Sequence, residues 1–213
     1  GYLHATLVHL DTSIDVDGMI GKKATFQYPQ GAGDAFQFQK FHGVVRQFEH
    51  TGTSDDAAFY EVIVVPRIWT LSLTHRSRVH VTDKSQGITV VEQIMNILQD
   101  HNLHTTAKIV TSGQYPKYSF LNQYRESDLD FLHRLIEEEG IGYFVDHDGD
   151  EDELFFFDKN DSLSACDPFD EILVRRSSGA LMDSFEALEE FTLRRQMSYG
   201  AIESRDFDFK DAL

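Results

Sequence analysis

The side chains best suited to chemistry in this sequence are its histidines, its carboxylates and one thiol. Ten histidines include the spaced pair His101 and His104, and His75 and His80 on either side of Arg76 and Arg78. A zinc site needs three or four converging ligands, and neither a His-Glu-x-x-His helix nor a cysteine partner accompanies these pairs. They read as hydrogen-bonded structural histidines, and no metal ligand is assigned. The run Asp146-His147-Asp148-Gly149-Asp150-Glu151-Asp152-Glu153 looks like a calcium loop, but the calcium-binding hand needs glycine at its sixth position, where this run has Glu151. Like Asp15-Val16-Asp17-Gly18, it reads as turn chemistry. With 36 acidic residues, candidate carboxylate pairs for glycoside hydrolysis are too many to be informative. Ser112-Gly113 and Ser178-Gly179 are turn signals rather than nucleophile elbows, and Gly31 and Gly33 lack both a Walker lysine and a following helix. Cys166 has Asp167 beside it, which raises rather than lowers a thiol pKa, so it reads as inert. No catalytic residue and no cofactor-binding residue is assigned.

Composition narrows the classes further. The chain has 213 residues with 19 Lys+Arg against 36 Asp+Glu, a net charge of −17. Phosphate backbones and anionic membrane surfaces are gripped by Lys/Arg clusters, so nucleic-acid binding is excluded and membrane insertion is not expected. One cysteine rules out an intrachain disulfide framework and fits synthesis in a reducing compartment. No apolar run reaches the length of a membrane span. The chain opens on Gly1-Tyr2 without a basic stretch leading into an apolar one, which reads as no secretory signal; the missing Met reads as a processed or excised segment.

The elements that would position any site are mostly short and extended. Tyr2–Leu10 and Lys23–Tyr28 read as strands across the Asp15–Gly18 turn, and Phe36–Phe48 as further extended chain. Phe59–Leu73 reads as one strand bent at Pro66, or two meeting there, because proline cannot donate inside a sheet. Thr89 and Glu92 have capping-box spacing ahead of Val91, Ile94, Met95 and Leu98, predicting a helix near 90–101. Ser127 starts a second helix near 128–139, with Leu129, Leu132, Leu135 and Ile136 on one face and Gly140 as its stop. Asp130–Arg134 and Arg134–Glu138 have i,i+4 spacing. Ile141–His147 and Glu153–Asp158 read as a hairpin, and Glu171–Arg176, Ser184–Arg195 and Ser198–Phe209 as later strands. The fold class is α+β, mostly β, with barrel-like antiparallel β-domains around a segment carrying two helices. Glu137, Glu138 and Glu139 place three negative charges at a helix C-terminus, where the macrodipole favours cations, and are candidate contacts to a partner chain.

At 122–144 the sequence is more specific than its pattern. Asn122-Gln123-Tyr124-Arg125-Glu126-Ser127-Asp128-Leu129-Asp130-Phe131-Leu132-His133-Arg134-Leu135-Ile136 runs on through Glu137-Glu138-Glu139-Gly140-Ile141 to Gly142-Tyr143-Phe144. Ile20-Gly21-Lys22, Phe41-His42-Gly43-Val44-Val45, Tyr60-Glu61-Val62, Val65-Pro66-Arg67-Ile68-Trp69, Phe157-Asp158 and Asp206-Phe207-Asp208-Phe209 agree in order. Together they resemble the hub region of the VgrG (valine-glycine repeat) spike proteins of bacterial type VI secretion, which are similar to baseplate hub proteins of contractile phage tails. The resemblance implies that Gln123, Tyr124, Glu126, Asp128, Phe131, Leu132, Arg134, Leu135, Glu138 and Gly140 are family-motif residues with structural roles. It implies a homotrimeric ring, without turnover, joining a hexameric inner tube protein to a spike tip with its effector cargo. It implies synthesis in the bacterial cytoplasm and delivery outside by the contractile apparatus. On this reading 1–86 is a first barrel lacking its leading strand, 87–165 the helix-bearing segment, and 166–213 the start of an incomplete second barrel. A phage tail hub, or a cell-wall-degrading domain, are the alternatives.

Overall fold

A computed structural model describes residues 1–10, 13–30, 37–81, 87–164, 173–174, 187–188, 190–197, 200–201 and 203. The amino-terminal part is a four-stranded antiparallel sheet curled into half a barrel, with strand order β1 (Leu3–His9), β4 (Ala58–Val65), β3 (Gln37–Thr53) and β2 (Lys23–Gln30). Period-two alternation sends Leu3, Ala5 and Leu7 of β1 and Tyr60, Val62 and Val64 of β4 to one face, where they meet Val45 and Phe48. Two register shifts in β3, at Val45/Gln47 and His50/Gly52, are bulges that bend this long strand. The turn before β2 forms as its residues predict, with the Gly18 amide donating to Asp15 Oδ1 at 3.0 Å.

Pro66 ends β4, and Arg67–Leu73 then winds into 3₁₀ turns instead of the second strand that the run of β-formers predicts. Proline supplies no ladder donor, and the turns place Ile68 and Leu71 under the helices, which rewards burial over strand propensity. A two-stranded ribbon follows, β5 (His75–Val81) antiparallel to β7 (Phe120–Ser127), with a register shift between Arg76 and Arg78.

Helix α1 (Val90–Asp100) carries the predicted capping box: Thr89 Oγ1 accepts from the Glu92 amide at 3.2 Å, and Glu92 Oε2 accepts from the Thr89 amide at 2.8 Å. It ends at Asn102, whose φ of 57° is left-handed, with Leu103 N–H donating to the Leu98 carbonyl at 2.8 Å. Helix α2 (Asp128–Glu138) is capped by Ser127 and stopped at Gly140, φ +67°, where Ile141 N–H donates to Ile136. Strand β6 (Ala107–Val110) pairs parallel with β9 (Glu153–Phe157), and β9 antiparallel with β8 (Gly142–Asp146), the predicted hairpin. Ile94, Ile97, Leu98, Phe131, Leu132, Leu135, Leu154 and Phe156 form the second core together with Ile68 and Leu71. Ile68 and Leu71, ahead of residue 87, thus pack with the helices.

Of the expected later strands, only β10 (Leu173–Val174) and β11 (Ala187–Leu188), a short parallel pair, fall within the described residues. Residues 190–197 carry no strand. Residues 200–201 and 203 carry no strand either; the rest of the expected second barrel, Cys166, Gly31, Gly33, Ser178 and Asp206–Phe209 lie outside the described residues. Among the described residues no helix is long and apolar enough to cross a membrane.

Candidate interaction surface

The motif at 122–144 divides by strand alternation and helix periodicity into residues that build and residues that face water. Gln123 is fully buried on the inner face of β7; its Nε2 donates to Asp128 Oδ1 at 2.7 Å and its Oε1 accepts from Arg78 Nε at 3.2 Å. Asp128, also fully buried, accepts from His101 Nε2 at 2.7 Å and pairs with Arg76 at 3.4 Å, while Asp100 holds the outer ends of Arg76 and Arg78. Burial alone would raise the Asp128 carboxyl; the Gln123 and His101 hydrogen bonds and the Arg76 and Arg78 charges hold it below the usual carboxylate range. The node ties the end of α1, the start of α2 and both ribbon strands together. Asp128 stands in the first turn of α2, where the helix dipole favours an anion.

Phe131, Leu132 and Leu135 are core residues, at most 1% exposed. Arg134 departs from its expected i,i+4 partners. It forks onto Glu126, with Nη2–Oε1 at 2.7 Å, and onto the Asn122 carbonyl at 2.8 Å. A helical i,i+4 pair is worth only a few tenths of a kcal/mol, and β7 offers two acceptors in line for a planar guanidinium. Asp130 instead takes the Ser127 hydroxyl at 2.7 Å. Of the acidic trio, Glu137 and Glu138 are exposed, while Glu139 accepts from Tyr118 at 2.5 Å, a bond that with burial pushes the Tyr118 hydroxyl up to about 12.

The histidine pairs separate. His101 is committed to Asp128, His75 lies exposed at the start of β5, and His80 is stacked on Phe131 at 5.3 Å between ring centroids. Among the described residues no three His, Cys, Asp or Glu side chains converge as a metal site would require.

The outward face of the β5–β7 ribbon carries three large apolar side chains among the exposed His75, Ser77 and Asn122. Val79, Phe120 and Tyr124 are 57%, 53% and 63% exposed, with the Arg125 guanidinium 5.2 Å from the Tyr124 ring centre. Here the usual alternation is inverted in part: Arg76, Arg78 and Gln123 point in beside the buried Leu121, while Val79, Phe120 and Tyr124 point out. Tyr124 was legible as a motif residue; Val79 and Phe120 were not, because a strand with charged alternate positions signals the opposite orientation. A second exposed pair, Val8 and Phe59, sits opposite one another on β1 and β4.

Comparison with known proteins gives a consistent result. The family model for the phage tail baseplate hub (GPD) matches residues 3–213. The actin cross-linking toxin VgrG1 of Vibrio cholerae is 33% identical over 175 residues, covering 81% of this chain and 15% of that protein. The type VI secretion system spike protein VgrG3 of Vibrio cholerae is 30% identical over 175 residues, covering 81% of this chain and 16% of that protein. Among solved structures, the E. coli c3393 protein, a component of the type VI secretion system similar to the T4 bacteriophage tail proteins gp27 and gp5, superposes with a TM-score of 0.66 at 24% identity. That match covers 77% of this chain and 44% of the other, and it carries the fold. The chain spans less than a fifth of the length of either curated relative.

Proposed function

Because this chain belongs to the phage tail baseplate hub family, we propose that it is the structural hub part of a type VI secretion spike, three copies of which close a ring joining the hexameric inner tube to the puncturing tip. The observation that carries the reading is the outward face of the β5–β7 ribbon. Large apolar side chains held rigidly in water on a paired ribbon are the mark of a contact surface, and the motif residue Tyr124 is among them. Beneath it the buried Asp128 node stiffens the ribbon against both helices, the property a part needs that holds shape under axial load. Glu137 and Glu138 are the proposed charged contacts to a partner, and Gln123, Glu126, Asp128, Phe131, Leu132, Arg134, Leu135 and Gly140 the positioning framework. The sheet of β1–β4 forms the first barrel unit, the helix-bearing core the intervening unit, and 166–213 the start of a second barrel. The part acts without turnover, is made in the cytoplasm, and leaves with the apparatus carrying tip and effector cargo.

The test is the mass of the assembled particle by native mass spectrometry at micromolar concentration. The expected result is three times the chain mass for the wild type and a single-chain mass for Phe120→Lys/Tyr124→Lys, with unchanged far-ultraviolet circular dichroism. A wild type that stays single at every concentration overturns the ring; a double variant that assembles like the wild type moves the contact off this face. Clearing of a peptidoglycan suspension by the pure chain would favour a cell-wall-degrading domain instead.

A further inference from the structure

We propose that the β8–β9 loop is an acid-releasable latch, in which His147 holds the helix-bearing part of the chain to the four-stranded sheet and lets go when its ring takes a proton. The loop, residues 147–152, reads in sequence as a plain acidic turn, yet it reaches across to β2 and β3. His42 lies two residues beyond Val44, whose pairing with Val65 is the last before Pro66 takes β4 away. The His42 backbone N–H, at this vacated edge, donates to His147 Nδ1 at 3.1 Å. The His147 ring stacks on Phe41, centroids 4.5 Å apart. The buried His42 ring completes the contact: its Nε2 donates to the Gly149 carbonyl at 3.0 Å, and its Nδ1 lies 2.8 Å from Thr25 Oγ1. Lys40 Nζ donates to the same Gly149 carbonyl at 3.2 Å.

The direction of the switch follows from the donor. A backbone N–H can only donate, so His147 Nδ1 must be unprotonated while the latch is shut; a proton there would face another proton. The closed state therefore favours the neutral ring, in the same sense as burial, which pushes His147 below the usual imidazole value. His42 resists protonation of its neighbour as a second potential cation, while Asp146, Asp148 and Asp152 favour it. The other charges around the loop are Lys40 on β3, Lys23 on β2 bonded to Glu151 at 2.8 Å, Asp150, and Arg67. Gly1 shares with His147 the lining of a cavity of about 460 Å³ bounded by Phe41, Pro66, Trp69, Leu129 and Tyr143. Once the ring swings free, the neighbouring carboxylates receive its charge.

The far end of the loop is held by Arg67 rather than by a histidine. Arg67 Nε meets Asp152 Oδ1 at 2.5 Å, its backbone N–H donates to Oδ2 at 2.7 Å, and Nη1 pairs with Glu151 at 2.9 Å. Acid thus frees the His147 end while Arg67 keeps the loop tethered, which makes the joint a hinge. The latch is fully set above about pH 6.5, the free imidazole value, and weakens as pH falls from there toward the lowered value of the closed state.

Amide exchange of His42 read by NMR tests this, with imidazole nitrogen shifts of His147 recorded on the same samples. In the wild-type chain we expect Nδ1 to report an unprotonated acceptor at neutral pH, and the His42 protection factor to fall severalfold between roughly pH 7.5 and roughly pH 5 as His147 takes its proton, while the Arg67 amide keeps its protection. His147→Asn puts a carbonyl oxygen where Nδ1 stands and cannot titrate, so its His42 protection stays level over the same range. A level wild-type profile, an equally steep fall in His147→Asn, or a His147 pKa at or above about 6.5 overturns the latch. The wild-type shifts decide the matter even if the variant does not fold.

Discussion

Truncating Asp128 to alanine tests whether the inverted ribbon is held by its inward charges. The change removes a fully buried carboxylate that accepts from Gln123 and His101, each at 2.7 Å, and that compensates Arg76. Hydrogen bonds to a charged group contribute about 1.5–3 kcal/mol each, and breaking a buried ion pair costs about 3–5 kcal/mol when the survivor is stranded. The arginines are not stranded here: both are about a third exposed and keep Asp100, at 3.2 and 3.0 Å. Gln123 Nε2 also keeps the Glu126 carbonyl at 3.3 Å. The cost then reduces to the His101 bond, a weakened Gln123 and the lost anion in the first turn of α2, together about 3 kcal/mol. Urea denaturation followed by circular dichroism would read this as a lower midpoint at constant slope. Asp128→Asn, which keeps the shape and one acceptor, should lose about half as much. The wild type should show the same node through pH: since the native Asp128 carboxyl is held low, its contribution is complete above the free carboxyl value of about 3.9 and is lost as pH falls below it. A loss under about 1 kcal/mol in Asp128→Ala would mean that apolar packing alone positions the ribbon, and the reasoning fails.

Two further outcomes follow from single contacts. Arg67→Met should cost about 3–5 kcal/mol, because Asp152, almost fully buried, loses its guanidinium partner; its urea midpoint should recover in Arg67→Met/Asp152→Leu, whereas an unrecovered double variant would show that the pair does more than neutralise itself. Gly43→Ala should cost about 1–3 kcal/mol in thermal unfolding although it adds one methyl group, since a Cβ there would lie 2.2 Å from the Val65 carbonyl oxygen where β4 turns away; an unchanged melting temperature would show that the strands separate freely at that point.

The residues alone determined whatever closes over three or four positions. The Thr89–Glu92 box, the Ser127 cap, the stop at Gly140 and the Asp15–Gly18 turn are set by local backbone donors finding nearby acceptors, and each forms where its spacing predicts. The hub motif was equally legible, because its residues lie in one continuous run. Tertiary structure alone decided the rest. β5 and β7 pair across some forty residues with charged side chains inward, which no alternation rule anticipates, because Arg76 and Arg78 turn inward only where the buried Asp128 stands to receive them. Arg134 left its helical neighbours for a strand, and β-forming Arg67–Leu73 coiled into 3₁₀ turns once Ile68 and Leu71 had a core to fill. The acidic loop became a joint only when the exit of β4 left the His42 amide open opposite His147. Contacts between residues distant in the chain depend on where whole elements come to rest, and local spacing carries no record of that.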